Sequence, residues 1–292
     1  MTRTAALLCL VLALAGGPAR AQNDVLVPAI GALERGDVKQ AIDTLRPLAT
    51  DGNFEAQYIL GTILETAPAP YRDLDAARAW YERAAEGGHA GAQNNLGAMY
   101  FDGRGVLRNP LEAAKWYKLA ADQGHAVAEA NLGLMYGLGL GVELDVKKMA
   151  EYLTKAAEAG EPRAQAQLGR MYLDGEGVTQ SALDAVKWFR LAAAQDNEGA
   201  QVLLAVLLQR GIGVPRDLEA AAAWFRRAAN HGSRLAMLEL AKIYELGLGV
   251  PADAEQAKAW RERAQKEPED KKKDSNDAAG SDQRADPRRP GR

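Results

Sequence analysis

Ala92-Gln93-Asn94-Asn95-Leu96-Gly97-Ala98-Met99-Tyr100-Phe101-Asp102-Gly103-Arg104-Gly105-Val106, then Asn109-Pro110, Ala113, Trp116-Tyr117, Ala120-Ala121 and Gly124, is the stretch that decides the fold. Ala92, Leu96, Gly97 and Tyr100 fall on one face of a helix. Gly103-Arg104-Gly105 stops that helix, since glycine reaches left-handed backbone conformations without steric cost. Asn109 is a good N-cap and Pro110 suits a first helical turn. Ala113, Trp116 or Tyr117, and Ala120 then form a second amphipathic stripe. The stretch therefore reads as two helices joined by a glycine turn.

The same pattern recurs every 36 residues. All five tryptophans obey it, as Trp80, Trp116, Trp188, Trp224 and Trp260, and the skipped position holds Tyr152. An alanine opens each unit (Ala56, Ala92, Ala128, Ala164, Ala200, Ala236) and a leucine with a small residue follows, from Leu60-Gly61 to Leu240-Ala241. Asp73, Asp217 and Asp253 are further N-caps, and Ser181 with Asp184 has capping-box spacing. Most units close on a glycine (Gly88, Gly124, Gly160, Gly232), with Asp196 as the exception. A fixed period of this size marks a stacked helical array in which each unit buries its apolar face against the next. The paired alanines let helices approach closely. The column Trp80, Trp116, Tyr152, Trp188, Trp224 and Trp260 is expected to fill the gaps as the core of the repeats.

The ends read differently. Residues 1–21 have the charge, apolar stretch and Ala19-Arg20-Ala21 site of a cleavable secretory signal. Cleavage after Ala21 would leave a periplasmic or secreted chain without an integral membrane segment. Cys9 is the only cysteine and lies within that signal, so the mature chain would hold no disulfide. Residues 22–55 are a weaker copy, read as capping helices; residues 56–265 carry six repeats; residues 266–292 are a charged, apolar-poor tail expected to be disordered. The net charge of −3 argues against nucleic acid as a partner.

Chemistry finds little support. The Gly-x-Gly turns lack the strand that a phosphate-binding loop requires. His89 and His125 share one repeat column, read as surface turn residues, with no cysteine or carboxylate to complete a metal site. Ser181 is explained as a cap, and His231-Gly232-Ser233 as a turn. The chain is read as having no enzyme activity, no cofactor and no metal.

These columns resemble the Sel-one-like repeat (SLR) family, relatives of the tetratricopeptide repeats, over residues 56–265. Three units depart from its pattern. The first has Thr66-Ala67-Pro68-Ala69-Pro70 for the glycine turn, the third has Tyr152-Leu153, and the sixth has Arg261 after Trp260. The resemblance implies an all-α, right-handed solenoid that scaffolds protein contacts, in secreted bacterial members at the envelope. In tetratricopeptide arrays the first helices line the concave face. Asn94, Asn95, Asn131, Gln167, Arg170, Arg210 and Lys242 would lie there and meet a protein or peptide partner, Asn95 and Asn131 by amide contacts to its backbone. An alternative is a glycan-associated module acting in polysaccharide export or wall assembly. A hydrolase of the kind labelled β-lactamase in this family is a further alternative, although no Ser-x-x-Lys occurs.

Overall fold

The computed structural model describes residues 25–266. The signal and tail readings fall outside the described residues, except that Lys266 closes the last helix. The described residues form helices and turns, with no strand among them. They are α1 (Val27–Glu34), α2 (Val38–Thr50), α3 (Phe54–Thr66), α4 (Leu74–Glu86), α5 (Ala90–Asp102), α6 (Pro110–Ala121), α7 (Ala126–Leu138) and α8 (Val146–Glu158). There follow α9 (Pro162–Asp174), α10 (Ala182–Ala194), α11 (Glu198–Arg210), α12 (Leu218–Asn230), α13 (Arg234–Leu246) and α14 (Ala254–Lys266). From α3 onward each odd helix and the even helix after it make one hairpin repeat. The chain divides into two compact units, parting between Ala192 and Ala193 in the last turn of α10.

Local chemistry sets the helix ends. Gly103, Gly139, Gly175, Gly211 and Gly247 terminate their helices in the left-handed conformation. The carboxylates of Asp73, Asp217 and Asp253 accept from backbone N–H groups three residues on, at 2.9–3.0 Å. Asn109 does the same to Glu112. Ser181 accepts from the Asp184 amide while its hydroxyl donates to the Asp184 carboxylate at 2.6 Å; this is half of the expected capping box, since the Ser181 N–H donates to the Tyr172 carbonyl rather than to Asp184. The turn between paired helices is closed by one recurring bond. The backbone N–H at the start of the second helix donates to the first helix, as from Asn109 to the Tyr100 carbonyl, Asp145 to Tyr136 and Asp253 to Tyr244. Asp196, where other repeats have glycine, is the one non-glycine residue with positive φ among the described residues, at 62°.

The core is a series of layers between successive repeats. Tyr81, Ala84 and Ala85 of α4 pack on Ala92, Leu96 and Met99 of α5, and the pattern repeats along the first unit. In the second unit Phe225, Ala228 and Ala229 pack with Ala236, Met237 and Leu240. The paired alanines are buried as their size requires.

The aromatic core differs from the expectation drawn from tryptophan. Trp80, Trp116, Tyr152, Trp188, Trp224 and Trp260 are half-buried and pack from the side. In the first five repeats the next residue is the enclosed one: Tyr81, Leu153, Phe189 and Phe225 are 0% exposed and Tyr117 is 4% exposed, whereas Arg261 of the sixth is exposed. The physical reason is a glycine on the facing helix. A Cβ on Gly61, Gly97 or Gly169 would lie 2.8–2.9 Å from the ring of Tyr81, Tyr117 or Phe189. These glycines are seats for the aromatic rings.

Candidate functional site

The first helices of the second to sixth repeats hold all seven candidate binding residues, and two structural columns position these helices. The first is the N-cap. Asn53, His89, His125, Glu161 and Asn197, one period apart, each accept from the backbone N–H three residues on. The histidines read as surface turn residues are thus caps, with Nδ1 as the acceptor at 3.1 Å from the Ala92 amide and 3.2 Å from that of Ala128.

The second column is a buried glutamine. Gln57, Gln93, Gln165 and Gln201 each donate an Nε2 proton to a carbonyl in the last turn of the preceding helix. The acceptors are Ala49, Ala85, Ala157 and Ala193, at 2.9–3.2 Å. Each bond ties the first helix to the repeat before it.

In the third repeat that position is Glu129, which is buried. Burial raises its carboxyl above the ordinary value of 4.5, and Lys155 opposes the shift. A carboxylate cannot donate to a carbonyl, so the bridge is missing in the charged state. Glu129→Gln should therefore stabilise the protein by about 1 kcal/mol near neutral pH. The raised value means the folded state holds the proton more tightly than the unfolded chain. The carboxylate destabilises the fold at neutral pH, and that cost fades as pH falls. Urea midpoints of both proteins, near neutrality and near pH 4.5, check this; the variant's advantage should shrink at the lower pH.

The amides expected to grip a partner are engaged with one another. Asn131 donates to Asn94 Oδ1 at 3.1 Å, Asn94 to Asn95 Oδ1 at 3.2 Å, and Asn95 to the Tyr81 hydroxyl at 3.1 Å. Tyr81 Oη lies 3.0 Å from Thr62 Oγ1 and 2.9 Å from Glu65 Oε2. It has one proton, and the carboxylate is the stronger acceptor. Burial, with Glu65 adding to it, pushes the Tyr81 hydroxyl well above its ordinary range, so it stays protonated. Glu65 is also paired with Arg104, whose Nε donates to Asp102 at 3.0 Å. A polar chain thus runs from α7 to α3 through three consecutive repeats.

Asn94 is buried, against the expectation of an exposed position, because its side chain links Asn95 to Asn131. Asn95 and Asn131 are half-buried. Tyr81, Thr62, Glu65 and Arg104 were not among the sequence candidates.

The remaining candidates split. In the first unit Gln167 is half-buried and Arg170 exposed, both on α9. In the second unit Arg210 is exposed at the end of α11, whereas Lys242 on α13 pairs with Glu239 at 2.6 Å. Arg170 and Arg210 form no ion pair with a described residue. Among the described residues no cluster of three or more His, Cys, Asp or Glu side chains could hold a metal ion. No described helix is long and apolar enough to cross a membrane.

Fold and site together define an all-α solenoid of hairpin repeats, in which repeated columns build the layers and the remaining first-helix positions vary. The Sel1 repeat pattern matches residues 54–89, 90–125, 126–161, 162–197, 199–233 and 234–264, and the chain belongs to the Sel1 repeat family. Proteins of this family generally mediate protein–protein interaction and are typically non-catalytic. A solved Sel1 repeat protein from Oxalobacter formigenes is 33% identical, with a TM-score of 0.72 over 82% of this chain and 96% of that one. The chain is also similar to c5321, a protective antigen of uropathogenic Escherichia coli with an SLR fold. That protein is 32% identical with a TM-score of 0.75, over 88% of this chain and 56% of the antigen. No curated protein matches the chain.

Proposed function

We propose that this protein is a non-catalytic scaffold of the bacterial envelope that binds a protein or peptide on the face lined by its first helices. The observation that carries this reading is the contrast between committed and uncommitted side chains on those helices. The N-cap, glutamine and asparagine groups are used within the array. Arg170 and Arg210 are exposed and unpaired among the described residues, with Gln167 beside Arg170 on α9. Uncommitted guanidinium groups suit carboxylates of an acidic or C-terminal segment. The secretory signal read in residues 1–21 supports an envelope location.

The test is capture from envelope extract with mass spectrometry, comparing the wild type with Gln167→Ala/Arg170→Ala. A partner enriched by the wild type should be lost by the variant. Equal recovery by both would refute this use of α9. Asn95 and Asn131 are unsuitable for the test, since removing either opens the polar chain at Tyr81 or Asn94 and disturbs packing as well as binding.

A further inference from the structure

Of the six first helices in the repeats, two begin on an imidazole. Asn53 and Asn197 cap with amide oxygens at 2.9 Å, which do not titrate in the physiological range. His89 and His125 cap through Nδ1, which must be unprotonated to accept. Protonation converts that acceptor into a donor facing another donor. It also sets a positive charge against the helix N-terminus, where the macrodipole disfavours one.

The two sites differ in what surrounds them. The His89 ring stacks on Tyr58 at 4.5 Å, and its Nε2 lies 3.1 Å from Glu55 Oε2. An imidazolium there would have a carboxylate beside it. One period on, the positions of Glu55 and Tyr58 are Gly91 and Asn94. His125 forms no ion pair with a described residue, and the charged group acting on it from the neighbouring elements is His89 itself. A proton on His125 would gain no carboxylate; a hydrogen bond to its own backbone favours the charged form, but burial outweighs it, and charge on His89 would repel it.

We infer that the His125-capped start of α7 is an acid-sensitive joint between the second and third repeats. Acidification removes the cap and loosens the helix that carries Asn131, one end of the polar chain. The inference rests on the capping geometry and stands whether or not the first helices bind a partner.

Burial lowers the His125 pKa below its ordinary 6.5, so on acidification the unfolded chain takes up the proton first. Stability contributed by the neutral cap is present above about 6.5 and is lost as pH falls through the lower folded value.

Amide hydrogen exchange by NMR on the whole protein tests the inference. The imidazole resonances of His125, followed in the wild type, should titrate below 6.5. Between pH about 7.5 and about 5.5, the protection of the Ala128 amide and the turn after it, corrected for intrinsic rate, should fall about five- to tenfold. His125→Asn, which copies the Asn53 and Asn197 caps, should keep protection nearly constant over that range. His89→Asn should keep the fall in protection and move it to somewhat higher pH, since the repulsion from His89 is gone. Unchanged protection in the wild type, an equal fall in His125→Asn, or an imidazole midpoint above 6.5 would each overturn the inference.

Discussion

Phe189→Ala is expected to destabilise the fourth repeat by about 3–5 kcal/mol, and Trp188→Ala by roughly half as much. The residues adjoin on α10, but Phe189 is 0% exposed whereas Trp188 keeps part of its ring in solvent. Removing the Phe189 ring leaves a void above Gly169, where a Cβ would have stood 2.9 Å from the ring edge. The facing helix has no side chain to fill it, so the full cavity term applies. Trp188 opens toward water, which replaces part of what is lost, and Lys187 lies 5.4 Å from its ring centre. Urea unfolding followed by circular dichroism, with hydrogen exchange to locate the loss, measures both variants. Equal losses, or a larger loss at Trp188, would contradict the placement of the aromatic core.

Why the sequence pointed to tryptophan is instructive. The period, the hairpins and most caps were legible because they rest on local chemistry: residues three or four apart share a helix face, and acceptors precede first turns. Which of two adjacent aromatics turns inward is a finer matter. Trp116 and Tyr117 differ by about 100° around the helix, and both are large and apolar. Helical period alone does not separate them, and five tryptophans on one ruler drew attention to the half-buried member of the pair, which packs on the core from its side. A signal was present in the last repeat. There the inner column holds Arg261, paired with Glu245, while Trp260 is retained. A charge is tolerated in the layer-facing column only in the last of the repeats. The Leu-Gly pairs were a second signal, because a glycine inside a helix costs about 1 kcal/mol and implies a close neighbour. Ala205 opposite Phe225 shows that the seat accepts one methyl group when the layer adjusts.

The candidate site was legible in part for the same reason. Exposure of Arg170 and Arg210 follows from helix position and side-chain length. The linkage of Asn131 to Asn94 joins residues 37 apart, which the period brings together but whose geometry no local rule supplies. Nor could spacing show that Tyr81 reaches Glu65 and Asn95, since that depends on how closely α4 approaches its neighbours. The N-cap column was open to a better reading. Asn53, His89, His125, Glu161 and Asn197 have little in common except a side-chain acceptor atom that reaches the first turn; Ser233, one period on, makes no such bond. Taken as a column they name their role, whereas the histidines taken alone suggest a metal.

Gly141→Ala is expected to cost about 3 kcal/mol or more, against about 1 kcal/mol for Gly139→Ala two residues earlier. Both glycines have positive φ, 64° at Gly139 and 70° at Gly141. Each therefore carries the left-handed penalty for an L-residue. They differ in what a Cβ would meet. At Gly139 the nearest atoms are Leu144 Cβ at 3.3 Å and the Leu144 nitrogen at 3.5 Å, so only a few tenths of an ångström must be given up. At Gly141 it is the Pro110 carbonyl oxygen at 2.2 Å, with the Leu111 nitrogen at 2.7 Å. That backbone is the first turn of α6, in the preceding repeat. Gly177 meets Val146 O and Gly249 meets Leu218 O in the same way, both at 2.4 Å. At these turns the first glycine ends a helix, while the second lets the turn lie flat against the repeat before it. A methyl group at Gly141 must push two backbones apart, and that strain belongs to the interface between repeats rather than to the hairpin. Hydrogen exchange should accordingly show protection lost where α6 and α7 meet, with the α7–α8 hairpin less affected. A Gly141→Ala protein no less stable than Gly139→Ala would mean the turn can lift away freely, and that stacking does not depend on this contact.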